Sequence, residues 1–390
     1  MNRLTIELRN ELTGRIIPFW KGLRDDEHGG YAGYVGPDLS VRRNADKGSI
    51  QNSRILWFFS QAYLLLNDPA LLDEADHAYK MLCRMTDEQR GGLFWSLHAD
   101  GTAADGTKHT YCQAFALYGL AAYFRASRRE EVLARAFAQF DLMETRCRDE
   151  AGYLESFTSA WEPEENRKLS GSGVLAERTM NTLLHVLEAY TGFYRASGDK
   201  AVRERLYEIL GIWERKIFNR YLARQEVFFD REYRSLADVH SYGHDIEASW
   251  LMEETLSLLD DPALTVRIRP LLLAMADRTL TEAMSDTGLA NERANGVTDG
   301  RRCWWVQAEA MRGFLNAWQL TGEERYRDAA LTEWSFIRDH LIDKRPGGEW
   351  FRTLSPDGAP YRSESVADPW KGPYHNGRLA MEFLRLDPEL

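Results

Sequence analysis

Apolar residues recur at helical spacing through almost the whole chain, in two alternating kinds of segment. One kind is apolar nearly all round, as in ILWFFSQAYLLL from Ile55 and FALYGLAAYF from Phe115, the pattern of a helix buried on every side. The other is amphipathic and follows at once, after LLNDPALLDEA (Leu65 to Ala75), YFRASRREEVL (Tyr123 to Leu133), YRASGDKAVRE (Tyr194 to Glu204), SLLDDPALTVR (Ser257 to Arg267) and QLTGEERYRDA (Gln319 to Ala329). In each connection Asn, Asp, Ser or Thr precedes Pro or acidic residues, which is the chemistry of a helix cap and first turn. The order is therefore helix, tight turn, helix, recurring roughly every 60 to 70 residues.

A second recurrent piece follows each outgoing helix: GGYAGYV from Gly29, GGLFWSL from Gly91, AGYLESF from Ala151, QEVFFDRE from Gln225, TGLANER from Thr287 and GGEWFRTL from Gly347. These short alternating runs are trailed by turn residues and predict small hairpins or extended loops rather than a large sheet. Apolar inner helices then begin near Gln51, Thr110, Asn181, Tyr242, Trp304 and Tyr374, and an opening helix over residues 2–20 completes six pairs. One αα unit cannot bury its own apolar face, so the units must stack. The first and last segments are each half a unit and would complete one another, which favours an all-α (α/α)6 barrel over an open solenoid. Its long loops would gather over the N-termini of the inner helices, at the end where a site is expected.

The 390 residues contain no Pro, Gly or Ser tract that reads as a linker, so residues 1–390 are expected to form one catalytic domain. A hydrophobic share of 44% supplies a large core. No apolar run approaches the roughly 18–20 residues of a membrane span, and the N-terminus lacks the apolar core of a leader, so a cytoplasmic location is expected. A net charge of −11 with scattered Lys and Arg argues against nucleic acid or an anionic membrane as partner and favours a neutral small molecule; a monomer is expected. Cys83, Cys112, Cys147 and Cys303 are widely spaced and read as free thiols.

His185 in MNTLLHVLEAY, His244 in SYGHDIEASW and His375 in KGPYHNGRL stand at matching places, near the starts of three inner helices. Histidine exchanges protons near neutral pH, so three converging on one cavity point to acid–base chemistry. His185 with Glu188 and His244 with Glu247 are i,i+3 pairs in which a carboxylate would fix the imidazole tautomer. His28, His77, His98, His240 and His340 lack that context and read as surface residues; His109 is intermediate. Arg54, a lone cation in QNSRILWFF, fits either a buried ion pair or a catalytic role. Trp304, Trp305 and Trp370 lie beside the loops, where indole faces suit the C–H faces of sugars, and Tyr111, Asn181, Glu247 and Glu309 are candidate hydroxyl partners. The HxxE spacing matches no metal motif, and no metal is expected. An inverting glycoside hydrolase on the same barrel is the rival reading, with Glu247, Glu309 and Asp245 as available carboxylates; a non-catalytic sugar-binding protein is another.

The segments QNSRILWFFSQAY, KHTYCQAFALYGL, MNTLLHVLEAY, YGHDIEASWL, CWWVQAEAM and DPWKGPYHNGR together resemble the N-acylglucosamine 2-epimerase superfamily, above all its cellobiose 2-epimerase branch, from about Glu11 to Arg378. The resemblance implies a cofactor-free, metal-independent enzyme that inverts C2 of the reducing-end glucose of β-1,4-linked disaccharides, with aldose–ketose isomerases and N-acylglucosamine epimerases as relatives. By motif, the family's acid–base pair falls on His244 and His375, its ring-opening histidine on His185 and its arginine on Arg54. The stacking tryptophans fall on Trp370 and on Trp304 or Trp305, and further substrate contacts on Asn181 and Glu247.

Overall fold

Every tight turn between paired helices is two residues long. In the computed structural model, which describes residues 3–169 and 173–387, α1 (Arg3–Glu11) runs through a π turn at Leu12–Ile16 into α2 (Ile17–Gly22); Asn2 of the expected opening helix lies outside the described residues. Five pairs follow: α3 (Ser49–Leu66) with α4 (Pro69–Arg84), α5 (Thr110–Ser127) with α6 (Glu130–Leu142), α7 (Met180–Ser197) with α8 (Lys200–Ile212), α9 (Tyr242–Leu259) with α10 (Pro262–Ala283), and α11 (Trp304–Thr321) with α12 (Glu324–Phe336). The last helix is α13 (His375–Leu386). In each turn the first residue, Asn67, Arg128, Gly198, Asp260 or Gly322, adopts the left-handed conformation and donates its N–H four residues back. The second caps the outgoing helix; the Asp68, Asp199 and Asp261 carboxylates accept backbone N–H groups there.

The odd-numbered helices from α3 to α13 are buried over most of their circumference and form the inner ring. Each packs on the next, and α13 packs on both α3 and α1. The half-units at the two ends of the chain therefore complete each other, and the all-α (α/α)6 barrel closes as the sequence implied. Among the described residues, no helix is long and apolar enough to cross a membrane. Cys83, Cys112, Cys147 and Cys303 are free thiols.

At the loop end the expected hairpins are present at Ser96–Leu97 with Ala103–Asp105 and at Glu292–Ala294 with Val297–Asp299. A second pairing links neighbouring units. The short strand before each inner helix pairs antiparallel with a segment of the following unit: Lys47–Gly48 with Ser96–Leu97, Lys108–His109 with Ser156–Phe157, Arg178–Thr179 with Phe228–Phe229, Val239–Ser241 with Glu292–Ala294, and Arg302–Cys303 with Thr353–Leu354. A bridge between Val35 and Ala367 joins the last unit to the first. Buried cations lock three of these strands in place, with Lys47 2.6 Å from Asp25, Lys108 3.0 Å from Asp87 and Arg178 2.6 Å from Asp149. Burial alone would raise these aspartates, but bonds from Lys47 and Lys108 hold Asp25 and Asp87 below the usual carboxylate range.

Two stability predictions follow from this packing. A Cβ at Gly313 would lie 2.7 Å from the Ile246 carbonyl oxygen, a backbone atom that cannot turn aside, so Gly313→Ala should cost about 1–3 kcal/mol, read as a lower Tm. Glu333 on α12 is fully buried with neither carboxylate oxygen hydrogen-bonded, and burial pushes its pKa up to about 8. In acid both folded and unfolded chains hold that proton, so nothing is lost. As pH rises from the ordinary 4.5 towards about 8 the unfolded chain releases the proton first, and stability falls. Glu333→Gln should therefore raise Tm near pH 8 and change it little near pH 4; an equal shift at both would contradict the assignment.

Candidate active site

The N-terminal ends of the inner helices surround a cavity of about 460 Å³. It is lined by Arg54 from α3, Tyr111 from α5, Asn181 and His185 from α7, His244 and Glu247 from α9, Trp304 and Trp305 from α11, Trp370, and His375 from α13. Of the candidate acid–base and substrate-contacting residues read from the sequence for the sugar site, only Glu309 stands outside this lining; the partner carboxylate Glu188 and the rival carboxylate Asp245 lie outside it too.

The three histidines are held alike. Nδ1 of His185 lies 2.8 Å from Glu188 Oε2, Nδ1 of His244 lies 2.7 Å from Ser241 Oγ, and Nδ1 of His375 lies 2.7 Å from Glu309 Oε1. In each ring the wall takes Nδ1 and leaves Nε2 for the cavity. Glu188 is held down to about 2, because Arg378 and His185 together outweigh the upward push of burial, so it accepts and His185 Nδ1–H donates. Burial lowers all three histidines, His244 to about 3 and His375 with further repulsion from Arg54 and Arg378. They are neutral imidazoles, the form that can act as a base.

Arg54 has no carboxylate partner among the described residues. It donates to the Trp370 carbonyl and to the Tyr111 hydroxyl, both at 2.9 Å, and its Nε–H is buried without a partner. The buried ion pair that remained open for this residue is not formed. Asn181 Oδ1 is likewise buried and unpartnered at the cavity wall. Trp305 lies between two histidines, its ring centroid 4.6 Å from His244 and 5.6 Å from His375. Trp304 is buried more deeply, with Arg352 5.2 Å and Lys371 5.6 Å from its ring centre. Trp370 packs edge-on against Trp95 at the cavity wall.

Beneath the histidines lies a residue the sequence reading did not single out. Arg378, one turn past His375, donates to Glu188 Oε1, to Glu247 Oε1 at 2.6 Å and to Glu309 Oε1 at 2.7 Å, while the Tyr374 hydroxyl also donates to Glu188. The expected His185–Glu188 pair is formed. His244 and Glu247 do not pair, because Arg378 draws Glu247 inward and Ser241, three residues before His244, takes the imidazole instead. Glu309 is not placed to meet a sugar hydroxyl: Oε1 accepts from His375 and Arg378, and Oε2 accepts from Trp250 Nε1. Burial and its Glu309 neighbour push Glu247 upward, and burial pushes Glu309 upward against the pull of Arg378. Glu247, Glu309 and His375 bring three possible ligand atoms within 4.8 Å of one another, but the guanidinium already lies against both carboxylates and supplies the positive charge there.

His240 is not a surface residue. It is buried, with Nε2 2.9 Å from Asp245 and Nδ1 3.2 Å from Glu282, and Asp245 also accepts from Gln225. His109 caps α5 and reaches Asn166 in the Trp161–Glu177 loop, of which residues 170–172 lie outside the described residues. At the cavity mouth Lys168, Arg301 and Arg352 are paired with Asp105, Asp299 and Asp368. Their positions in long loops gave no periodic signal to find them by.

The model of the N-acylglucosamine 2-epimerase family matches residues 29–376. A cellobiose 2-epimerase of Eubacterium cellulosolvens is 45% identical, the match covering 97% of this chain and 98% of the relative, and one of Ruminococcus albus is 43% identical over 97% of each. The solved structure of cellobiose 2-epimerase from Bacillus thermoamylovorans superposes with a TM-score of 0.95 at 41% identity, covering 99% of this chain and all of that one. With a matching family model across most of its length, and relatives of this identity over nearly all of it, the chain belongs to the N-acylglucosamine 2-epimerase family.

Proposed function

We propose that the protein is a carbohydrate epimerase that inverts C2 of the reducing-end glucose of β-1,4-linked disaccharides, turning cellobiose into glucosyl-mannose and lactose into epilactose. The observation that carries the reading is the pair of neutral imidazoles of His244 and His375, on different inner helices and either side of Trp305, with Nε2 of both left for one cavity. The name shared by the similar relatives supports the same reaction class.

A C2 proton is acidic only beside a carbonyl, so the pyranose must open first. The C1 hydroxyl gives up its proton, the bond from C1 to the ring oxygen breaks, and that oxygen gains a proton; His185 assists this step. One histidine of the pair then takes the C2 proton, leaving an enediolate. Arg54, a cation without a counter-ion, meets the developing negative charge. The other histidine, which takes up a proton from solvent once substrate is bound, delivers it to the opposite face of C2. The enediolate offsets the two arginines that, after burial, depress His375, so its basicity rises as the intermediate forms. His244 and His375 exchange roles with the direction of reaction. Asn181 Oδ1 accepts a sugar hydroxyl, and Trp370 with Trp304 or Trp305 packs against the sugar faces.

Glycoside hydrolysis with inversion needs carboxyl groups roughly 6.5–9.5 Å apart. Glu247 and Glu309 offer oxygens within 4.8 Å of each other and share Arg378, and Asp245 is engaged by His240 and Gln225.

Cellobiose incubated in D₂O should remain a disaccharide, acquire deuterium at C2 and show mannose at its reducing end; glucose release or a ketose product would sink the proposal. His244→Ala and His375→Ala should each lower kcat by about 10²–10⁴, and Arg54→Met by about 10²–10³. Full activity in His375→Ala would remove His375 from the chemistry, and a wild-type chain that binds cellobiose without turning it over would indicate a binding protein. Because burial lowers all three histidines from 6.5, they stay neutral below that pH and the acid limb of kcat/KM should fall below it. The same sign applies to stability: below 6.5 the unfolded chain takes up protons that these folded imidazoles refuse, so Tm should decline as pH drops.

A further inference from the structure

Glu188, Glu247 and Glu309 come from α7, α9 and α11 and meet one guanidinium from α13. Arg378 is clamped between Trp250, 4.7 Å from ring centre to guanidinium carbon, and Tyr374 at 4.2 Å. Three carboxylates around a single buried cation cannot all stay ionised without large repulsion. The hydrogen bonds identify which of them takes a proton. Both Glu188 oxygens accept, from Arg378, Tyr374 and His185. Both Glu309 oxygens accept, from His375, Arg378 and Trp250. Glu247 accepts only at Oε1, and its Oε2 is buried without a partner although the residue lines the cavity. Of the six oxygens it alone has no donor, so a proton there breaks no bond.

A proton on Glu309 would have a chemical consequence. Its O–H would donate to His375 Nδ1, the imidazole proton would move to Nε2, and the lone pair that removes the C2 proton would be gone. We propose that Arg378 is a positioning residue that keeps Glu309 ionised and leaves the proton shared by Glu247 and Glu309 on Glu247 Oε2, so that His375 holds a free Nε2 lone pair and Glu247 offers the cavity an O–H donor. Arg378 acts through Glu309 and does not itself line the cavity. The other charged and titratable groups facing this cluster are Arg54, Tyr111, Tyr118, His185, His244, Arg312, Tyr374 and His375. Only the part concerning His375 rests on the epimerase reading.

Infrared difference spectra at neutral pH test the proton's position without any turnover. On a Glu333→Gln background, which removes another strongly raised carboxyl, a protonated-acid carbonyl component should be lost in Glu247→Gln and kept in Glu309→Gln; loss in Glu309→Gln alone, or in neither, would overturn the assignment. Kinetics on cellobiose test the positioning role. Arg378→Met should lower kcat by about 10²–10⁴ while KM moves by no more than about threefold, because substrate contacts are left in place. Glu309→Gln should show the same split, and Arg378→Lys should recover part of the loss. An unchanged kcat, or a rise in KM with kcat preserved, would defeat it. If Arg378→Met does not fold, as circular dichroism would reveal, Arg378→Lys and Glu309→Gln carry the comparison. A wild-type chain that leaves cellobiose unchanged yet shows the Glu247 band would defeat the epimerase reading and leave the proton assignment standing.

Discussion

The packing of α1 and α3 against α13 is the constraint from which the rest descends. An αα unit has one helix whose whole circumference is apolar, and no single neighbour can cover it; only a complete ring covers all six inner helices. Once the ring closes, the starts of those helices are fixed at one end and converge on a common axis. Residues far apart in sequence, such as His185 and Glu188 on one side and Arg378 on the other, then meet at hydrogen-bond distance. The inter-unit strands and their buried cations tighten the same end, where the cavity lies. Rigidity is therefore concentrated around the groups whose orientation matters to chemistry.

The site has two layers with different tasks. Nε2 of three imidazoles, an uncompensated arginine and an unpartnered amide oxygen face the cavity, and all are incompletely satisfied without a ligand. Below them lies a fully buried network of carboxylates, arginine, tyrosine and tryptophan in which nearly every polar atom is bonded. Polar groups left open at the surface of a cavity are available to a substrate, while those saturated behind it hold the first group in place. The repeat produces this division directly, since His185, His244 and His375 each precede a buried charged residue by three positions on their own helix.

Where local rules govern, the sequence was legible. The two-residue turns announced themselves through Asp68, Asp199 and Asp261 followed by helix formers, and the inner helices start within two residues of the expected positions. The converging histidines could be read from their matching places in the repeat. The inter-unit strands could not, because a strand of two residues carries no alternation. Helical spacing alone suggested that His244 would bind Glu247, but a guanidinium 131 residues away in the chain competes for that carboxylate and wins. Arg378 stood inside a quoted motif, yet nothing local distinguishes a buried arginine at the hub of a barrel from one on a surface. His240 was read as a surface residue for the same reason: its partners Asp245 and Glu282 come together with it only in the fold.

The order of elements also bears on how the protein is made. α13 carries His375 and Arg378 and is the last helix in the chain. Until α13 has been synthesised, α1, α3 and α11 lack the helix that covers them. Neither the closed ring nor the convergence of His185, His244 and His375 on one cavity exists without α13. A chain lacking α13 would lose the cover of its inner helices and the shape of its cavity together, so that closure of the core and assembly of the candidate site are a single event.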